Sequence, residues 1–175
     1  MLGITKYQIN LFDNALLFEE ANKKALLETL GCCIDRYYVQ WHTDRDEFNE
    51  DGPIILIING NQYEFTAFQL DYSLTINKID LSGKLDWYGS GAEMPLVWKK
   101  NAFNEINTIL GKQIEEIYLL EHGFTDWTLL GIEFEIKGLS NCLQLTNGLD
   151  CNNIVLKRLA EDDKNRRYKI KEMHV

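Results

Sequence analysis

The sequence predicts a single α+β domain: a twisted antiparallel sheet of about six to eight strands, with two main helices packed on one face. Three observations predict it. Short β-branched and aromatic runs recur at hairpin spacing, from Ile54 to Phe68 and again from Ile114 to Asn147. Two other stretches, around Phe18 and around Ile106, repeat apolar residues every three or four positions, the helical period. The 175 residues, 45% hydrophobic and 11% aromatic, suffice for one sizeable core. Pro53 and Pro95 are the only prolines, so no proline-rich linker divides the chain. Residues 1–160 read as the domain and 161–175 as a basic, frayed tail.

The elements follow in order. ITKYQINLF (4–12) has the composition of a first strand. Asp13 or Asn14 then caps a helix over about 14–30, with Phe18, Ala21 and Ala25 on one face and Gly31 as its stop. IDRYYVQW (34–41) reads as a strand, and the acid-rich HTDRDEFNEDGP (42–53) as an exposed loop. IILIIN (54–59) and QYEFTAF (62–68) flank Asn59-Gly60-Asn61, and Asn-Gly between apolar runs is a strong hairpin signal. SLTINKIDL (73–81) reads as a further strand, and 82–97, with Gly83, Gly89, Gly91 and Pro95, as loop. From Trp98 to Leu110 the pattern turns helical: Phe103, Ile106, Ile109 and Leu110 share a face, and Gly111 ends it.

Strands are expected over 114–122, 127–137, 142–147 and 154–159. The second of these alternates: Leu130, Ile132, Phe134 and Ile136 point one way, Glu133, Glu135 and Lys137 the other. That pattern predicts one face in water.

Charge is uneven. The net charge is −9, but residues 1–152 carry −12 and residues 153–175 carry +3. So acidic a body repels phosphate backbones, which disfavours nucleic acid, and attracts a basic protein. No apolar run approaches the ~20 residues that span a bilayer. The N-terminus lacks a basic region followed by an apolar stretch, so no membrane association and a cytoplasmic location are expected. Cys32, Cys33, Cys142 and Cys151 fit neither a zinc knuckle nor an even disulfide framework, which suits reduced thiols. A Cys142–Cys151 bridge stays open as an alternative.

Catalytic chemistry finds no motif. GSGAEM (89–94) lacks the features of a phosphate or dinucleotide loop, and HExxH, GxSxG and EF-hand patterns are missing. Catalytic residues, metal ligands and cofactors are therefore expected to be none. Cys142 or Cys151 with His122 can be combined as nucleophile and base, but any chain with four Cys and three His permits that. Glu133 and Glu135, on one wet strand face, lack the burial that shifts a carboxylate usefully.

Partner contacts are a different matter, because interface hot spots favour Trp and Tyr, and several of these residues lie here beside acids. The candidate contact residues are Asp44, Asp46 and Glu47 in the acidic loop, Asp86, Trp87 and Tyr88, Asp126 and Trp127, and Glu133 and Glu135. The alternative for each aromatic is simple core closure.

Residues 109–154 carry "LGK.I..I" leading into a strand, then "LLGIEFEI", then "L.NGLD.N.I". The segment resembles the C-terminal part of small stand-alone immunity proteins encoded beside bacterial polymorphic or contact-dependent toxins. The resemblance implies a cytosolic, non-enzymatic inhibitor that masks the active surface of a cognate toxin, such as a nuclease; it implies no binding residues. A basic partner captured by a monomer or homodimer is the resulting expectation. A small-ligand-binding or enzymatic domain with a pocket between sheet and helices, and a self-associating structural subunit, are the alternatives.

Overall fold

The computed structural model describes residues 2–87, 95–123 and 126–171. It holds two antiparallel sheets stacked face to face and one α-helix, so the expected single sheet under two helices is corrected. The first sheet contains β1 (Ile34–His42), β2 (Glu47–Phe48), β3 (Ile54–Ile58), β4 (Asn61–Phe68), β5 (Asp71–Ile76) and β6 (Leu96–Lys100). Its order is β2-β1-β3-β4-β5, with β6 also paired to β1. The second sheet contains β7 (Ile114–Gly123), β8 (Trp127–Ile136), β9 (Cys142–Asn147), β10 (Asn152–Leu156) and β11 (Asn165–Lys169), in the order β10-β9-β8-β7-β11.

The helix α1 (Ala15–Leu27) starts where expected: the Asn14 side chain accepts from the Leu17 amide at 3.0 Å and satisfies one of the free amides of the first turn. It buries Phe18 and Leu26 in the core. The second expected helix does not form. Trp98–Lys100 belong to β6, which pairs with β1 from Tyr38↔Lys100 to His42↔Leu96. Only a single 3₁₀ turn, Ile106–Ile109, follows. An i,i+3 apolar pair suits such a turn as well as an α-helix, and LVWKK supplies a strand for an open sheet edge.

The expected first strand is also absent; within 4–12 only Phe12 makes a bridge, to Tyr72. Leu2, Gly3 and Lys6 have φ of 53°, 73° and 60°, which breaks an extended path. The segment instead lays Ile4 and Tyr7 on the outer face of the first sheet, over Ile55 and Ile57, together with Ile79, Leu85 and Leu96. That is why every residue of β3 is buried: this sheet is covered on both faces.

Between the sheets lies the main core. Phe65 of β4 meets Phe134 of β8 edge-on at 5.9 Å, and the Tyr72 hydroxyl donates to the Leu145 carbonyl at 2.9 Å. Asn59 and Gly60, at φ 49° and 79°, make the tight β3–β4 turn. Gly131 is required where β8 crosses β9, since a Cβ there would sit 2.2 Å from the Leu145 carbonyl oxygen.

Two further expectations are corrected in the second sheet. Residues 165–169, assigned to a frayed tail, form β11 on the edge of β7, and Ile170 is buried in the main core. The outer face of β8 is not wet either: Glu133 is 0% exposed. The connection from β10 to β11 runs between opposite edges of the sheet and covers it. Its Leu159 amide donates to Glu133 Oε2 at 3.0 Å.

Candidate functional site

Most of the acids expected to meet a partner are already engaged. Asp46 accepts from the Trp41 indole at 3.0 Å and pairs with Lys99 at 3.4 Å, and Lys99 lies over the Trp41 ring. The Trp41 bond and then Lys99 hold the Asp46 carboxyl below its ordinary range. Asp44 and Glu47 flank Arg45 at 4.0 and 3.4 Å. Trp127 is stacked under Arg166, 4.1 Å from the ring centre, while Asp126 is exposed. Tyr88 lies outside the described residues.

Glu133 and Glu135 do not form an open surface. Arg167 Nη2 lies 2.5 Å from Glu133 and 3.0 Å from Glu135, and Arg158 pairs with Glu135 at 2.7 Å. Gln144 donates to Glu133 at 2.6 Å. Burial, followed by the Glu133 charge, pushes the neighbouring Cys142 thiol up to about 12. Burial and then Glu50 and Asp51 raise Cys151 as well. These thiols stay protonated at neutral pH, which opposes a thiolate nucleophile. All four cysteines are free, so the Cys142–Cys151 bridge is not made. Among the described residues, no group of three or more His, Cys, Asp or Glu could hold a metal ion. Among them, too, no helix is long and apolar enough to cross a membrane.

The geometry that does stand out lies where the β4–β5 and β9–β10 turns meet. Asn147 donates to the carbonyls of Gln69 and Asp71 at 2.9 and 3.1 Å. Asp150 Oδ1 accepts from the Gln69 amide at 2.5 Å, and the Asp150 amide returns a bond to the Gln69 carbonyl at 3.1 Å. Asn152 accepts from the Ala67 amide at 2.7 Å and reaches the Glu50 carbonyl at 3.2 Å. Three polar side chains thus clasp one sheet to the other.

The clasp holds Gln69, Leu149 and Asp150 at φ 55°, 64° and 70°. Left-handed backbone is costly for residues with a Cβ and persists only where the surroundings impose it. What those turns present is apolar: Leu70 is 60% exposed and Leu149 is 71% exposed. Both rim a pocket of about 220 Å³ whose floor and walls come from Thr128, Leu129, Leu130, Asn147 and His122. His122 Nδ1 is 2.8 Å from Asn165 Oδ1, which ties the wall to β11.

A second pocket, about 230 Å³, shares the same turns and is lined by Leu2, Ala67, Phe68, Trp87, Asp51 and Asp150. Of the expected contact residues, Trp87 therefore lies at this place and Asp86 adjoins it. Asp126 and Trp127 lie next to Thr128 in the wall of the first pocket. Asp44, Asp46, Glu47, Glu133 and Glu135 line neither pocket.

Sequence reasoning missed Leu70, Leu149 and the clasp residues. One signal was available: Leu-Asp sits at the tip of two turns, Leu70-Asp71 and Leu149-Asp150, where a large apolar residue has no core to fill. The pairing of those tips, 79 positions apart, is tertiary and left no local mark.

No protein-family model, curated protein or solved structure matches this chain.

Proposed function

We propose that the chain is a non-enzymatic binding module for a basic protein, which inserts an apolar side chain into the pocket rimmed by Leu70 and Leu149. The observation that carries this reading is the pair of exposed leucines on turns locked by Asn147 and Asp150. Rigid turns lose little conformational freedom on binding, so buried leucine area converts efficiently into affinity. The pocket, at about 220 Å³, is smaller than the ~300–1,000 Å³ of small-molecule sites and suits a single anchoring side chain. Asp51 and Asp150 line the neighbouring pocket on the same turns, and the −12 body extends the same field. A cationic partner would be drawn in quickly, at a rate that falls with salt.

The resemblance of residues 109–154 to immunity proteins supports a specific form of this reading, in which the partner is a cognate toxin and binding occludes its working surface. Leu149 and Asp150 lie within that segment. The test is coexpression with the protein encoded beside this chain, followed by co-purification. Wild-type chain should retain its partner at low salt, and Leu149→Asp should lose at least about tenfold in affinity. Asp44→Lys, in the loop already tied up with Arg45, should change it little. Retention of the partner by Leu149→Asp would overturn the assignment of the site.

A further inference from the structure

The outer face of the second sheet carries its own unusual arrangement. From Ile114 to Ile136 the β7–β8 hairpin contains six acids and no Lys or Arg, while 164–169 contains four cations and no acid. Four of those acids are ion-paired: on the outer face Glu116 with Lys169, Glu133 with Arg167, and Glu135 with Arg158 and Arg167, and on the opposite face Glu121 with Arg166. Among the described residues, every one of these cations comes from 158–169.

The fit is incomplete at its centre. Arg167 stacks 3.8 Å from the Tyr118 ring centre and is only 10% exposed at its side chain. Yet Arg167 Nε is buried without a hydrogen bond, and Glu133 Oε1 has only the Arg167 Nη2 contact, which is not aligned as a hydrogen bond. A buried pair with unsatisfied atoms recovers little more than its desolvation cost. The strand that supplies it lies at the sheet edge, paired among the described residues with β7 alone.

We propose that this face is a docking site for an extended cationic strand, filled in the resting chain by residues 158–169, and that a basic strand of a protein partner can take the place of β11 on β7. The recognised pattern is the one β11 displays. Cations at alternate positions, as at Arg167 and Lys169, meet Glu133, Glu135 and Glu116; a further cation on the opposite face of the strand, as at Arg166, meets Glu121 over Trp127. Main-chain pairing to β7 supplies affinity for any sequence, and the carboxylates select the basic one. The site is distinct from the leucine-rimmed pocket and stands or falls separately from it.

The test adds a labelled peptide with the sequence of residues 157–171 to the intact chain and measures binding by fluorescence anisotropy. Arg167→Ala weakens the resident strand and leaves the carboxylates in place, so this chain should bind the peptide about tenfold more tightly than wild type does. A peptide with Arg166 and Arg167 changed to alanine should not bind, and Leu149→Asp in the chain should leave peptide binding unchanged. Absence of binding to either chain, or equal binding of both peptides, would overturn the proposal. Should Arg167→Ala not fold, hydrogen exchange on the wild-type chain decides. Amides 166–169 should exchange at least about tenfold faster than those of β8, and faster still in high salt. Exchange of β11 together with β8 at both salt concentrations would overturn it.

Discussion

Glu64 in β4 and Glu133 in β8 both sit in the middle of a strand, both face away from the inter-sheet core, and neither exposes any surface. The two sheets stabilise them by opposite means. Glu64 Oε1 accepts from the amides of Lys78 and Ile79 at 2.7 and 2.8 Å, and Oε2 accepts from the Thr75 hydroxyl. Its partners are main chain and a neighbouring strand, under an apolar cover of Ile4, Tyr7 and Ile79. Glu133 draws on Gln144, the Leu159 amide and the Arg167 guanidinium, the last from 34 positions further along. A buried carboxylate can thus be held by dipoles fixed in its own sheet or by a cation imported with a later strand. The first sheet is closed locally; the second depends on its C-terminal segment.

Substitutions should break that comparison in order of size. Arg167→Ala leaves Glu133 buried without a counter-charge, and urea unfolding should show a loss of about 3–5 kcal/mol. Adding Glu133→Gln should restore a large part of it, whereas two independent losses would add.

Next comes alkaline pH. Burial, partly offset by the Thr66 and Thr75 hydroxyls, pushes the Tyr7 phenol up to about 12. Burial raises Tyr37 and Tyr118 to about 12 as well, with the Glu116 bond adding to the rise at Tyr118. Below the unfolded value near 10 these phenols are protonated in both states, and their contribution to stability is intact. Between 10 and about 12 only the unfolded chain ionises, so stability falls as pH rises, by roughly 2–3 kcal/mol for Tyr7. Tyr7→Phe should flatten this decline in unfolding curves recorded from pH 9 to 12.

Glu64→Gln should cost less, about 1–2 kcal/mol, because the amide oxygen still accepts from Lys78 and Ile79. That loss should be the same at low and high salt, and a strong salt dependence would contradict local closure of the first sheet. The smallest effect concerns Cys142, whose thiol is held protonated near Glu133. Alkylation followed by mass measurement should leave it unmodified in the native chain at pH 7.5 and modified once Arg167→Ala loosens the face.

Much of this was legible residue by residue. The Asn14 cap, the Asn59-Gly60 turn and the alternation of Ile132, Phe134 and Ile136 are local signals, and each acts where it is written; Leu130 breaks the alternation, because a bulge in β8 puts Leu129 in the core in its place. Glu133 was legible as facing away from the core but not as buried, because its cover comes from Leu159 and Arg167. Trp98–Leu110 misled for a similar reason. Its apolar spacing fits a helix in isolation, and the open edge of β1 recruits part of it as β6. The candidate contact acids fared worst, since Asp46 with Lys99, or Glu135 with Arg158, are partnered across distances no local pattern encodes.

By itself, then, the sequence determined the acidic body, the basic segment that follows it and the positions of most strands. Those follow from charge count, period-two alternation and backbone preference, which act within a few residues. Only the tertiary structure decided that there are two sheets, that the basic segment closes one of them, and that Asn147, Asp150 and Asn152 clasp the leucine turns together. Pairings of that kind are chosen by which buried polar groups and open strand edges can be satisfied at once, a condition on the whole chain.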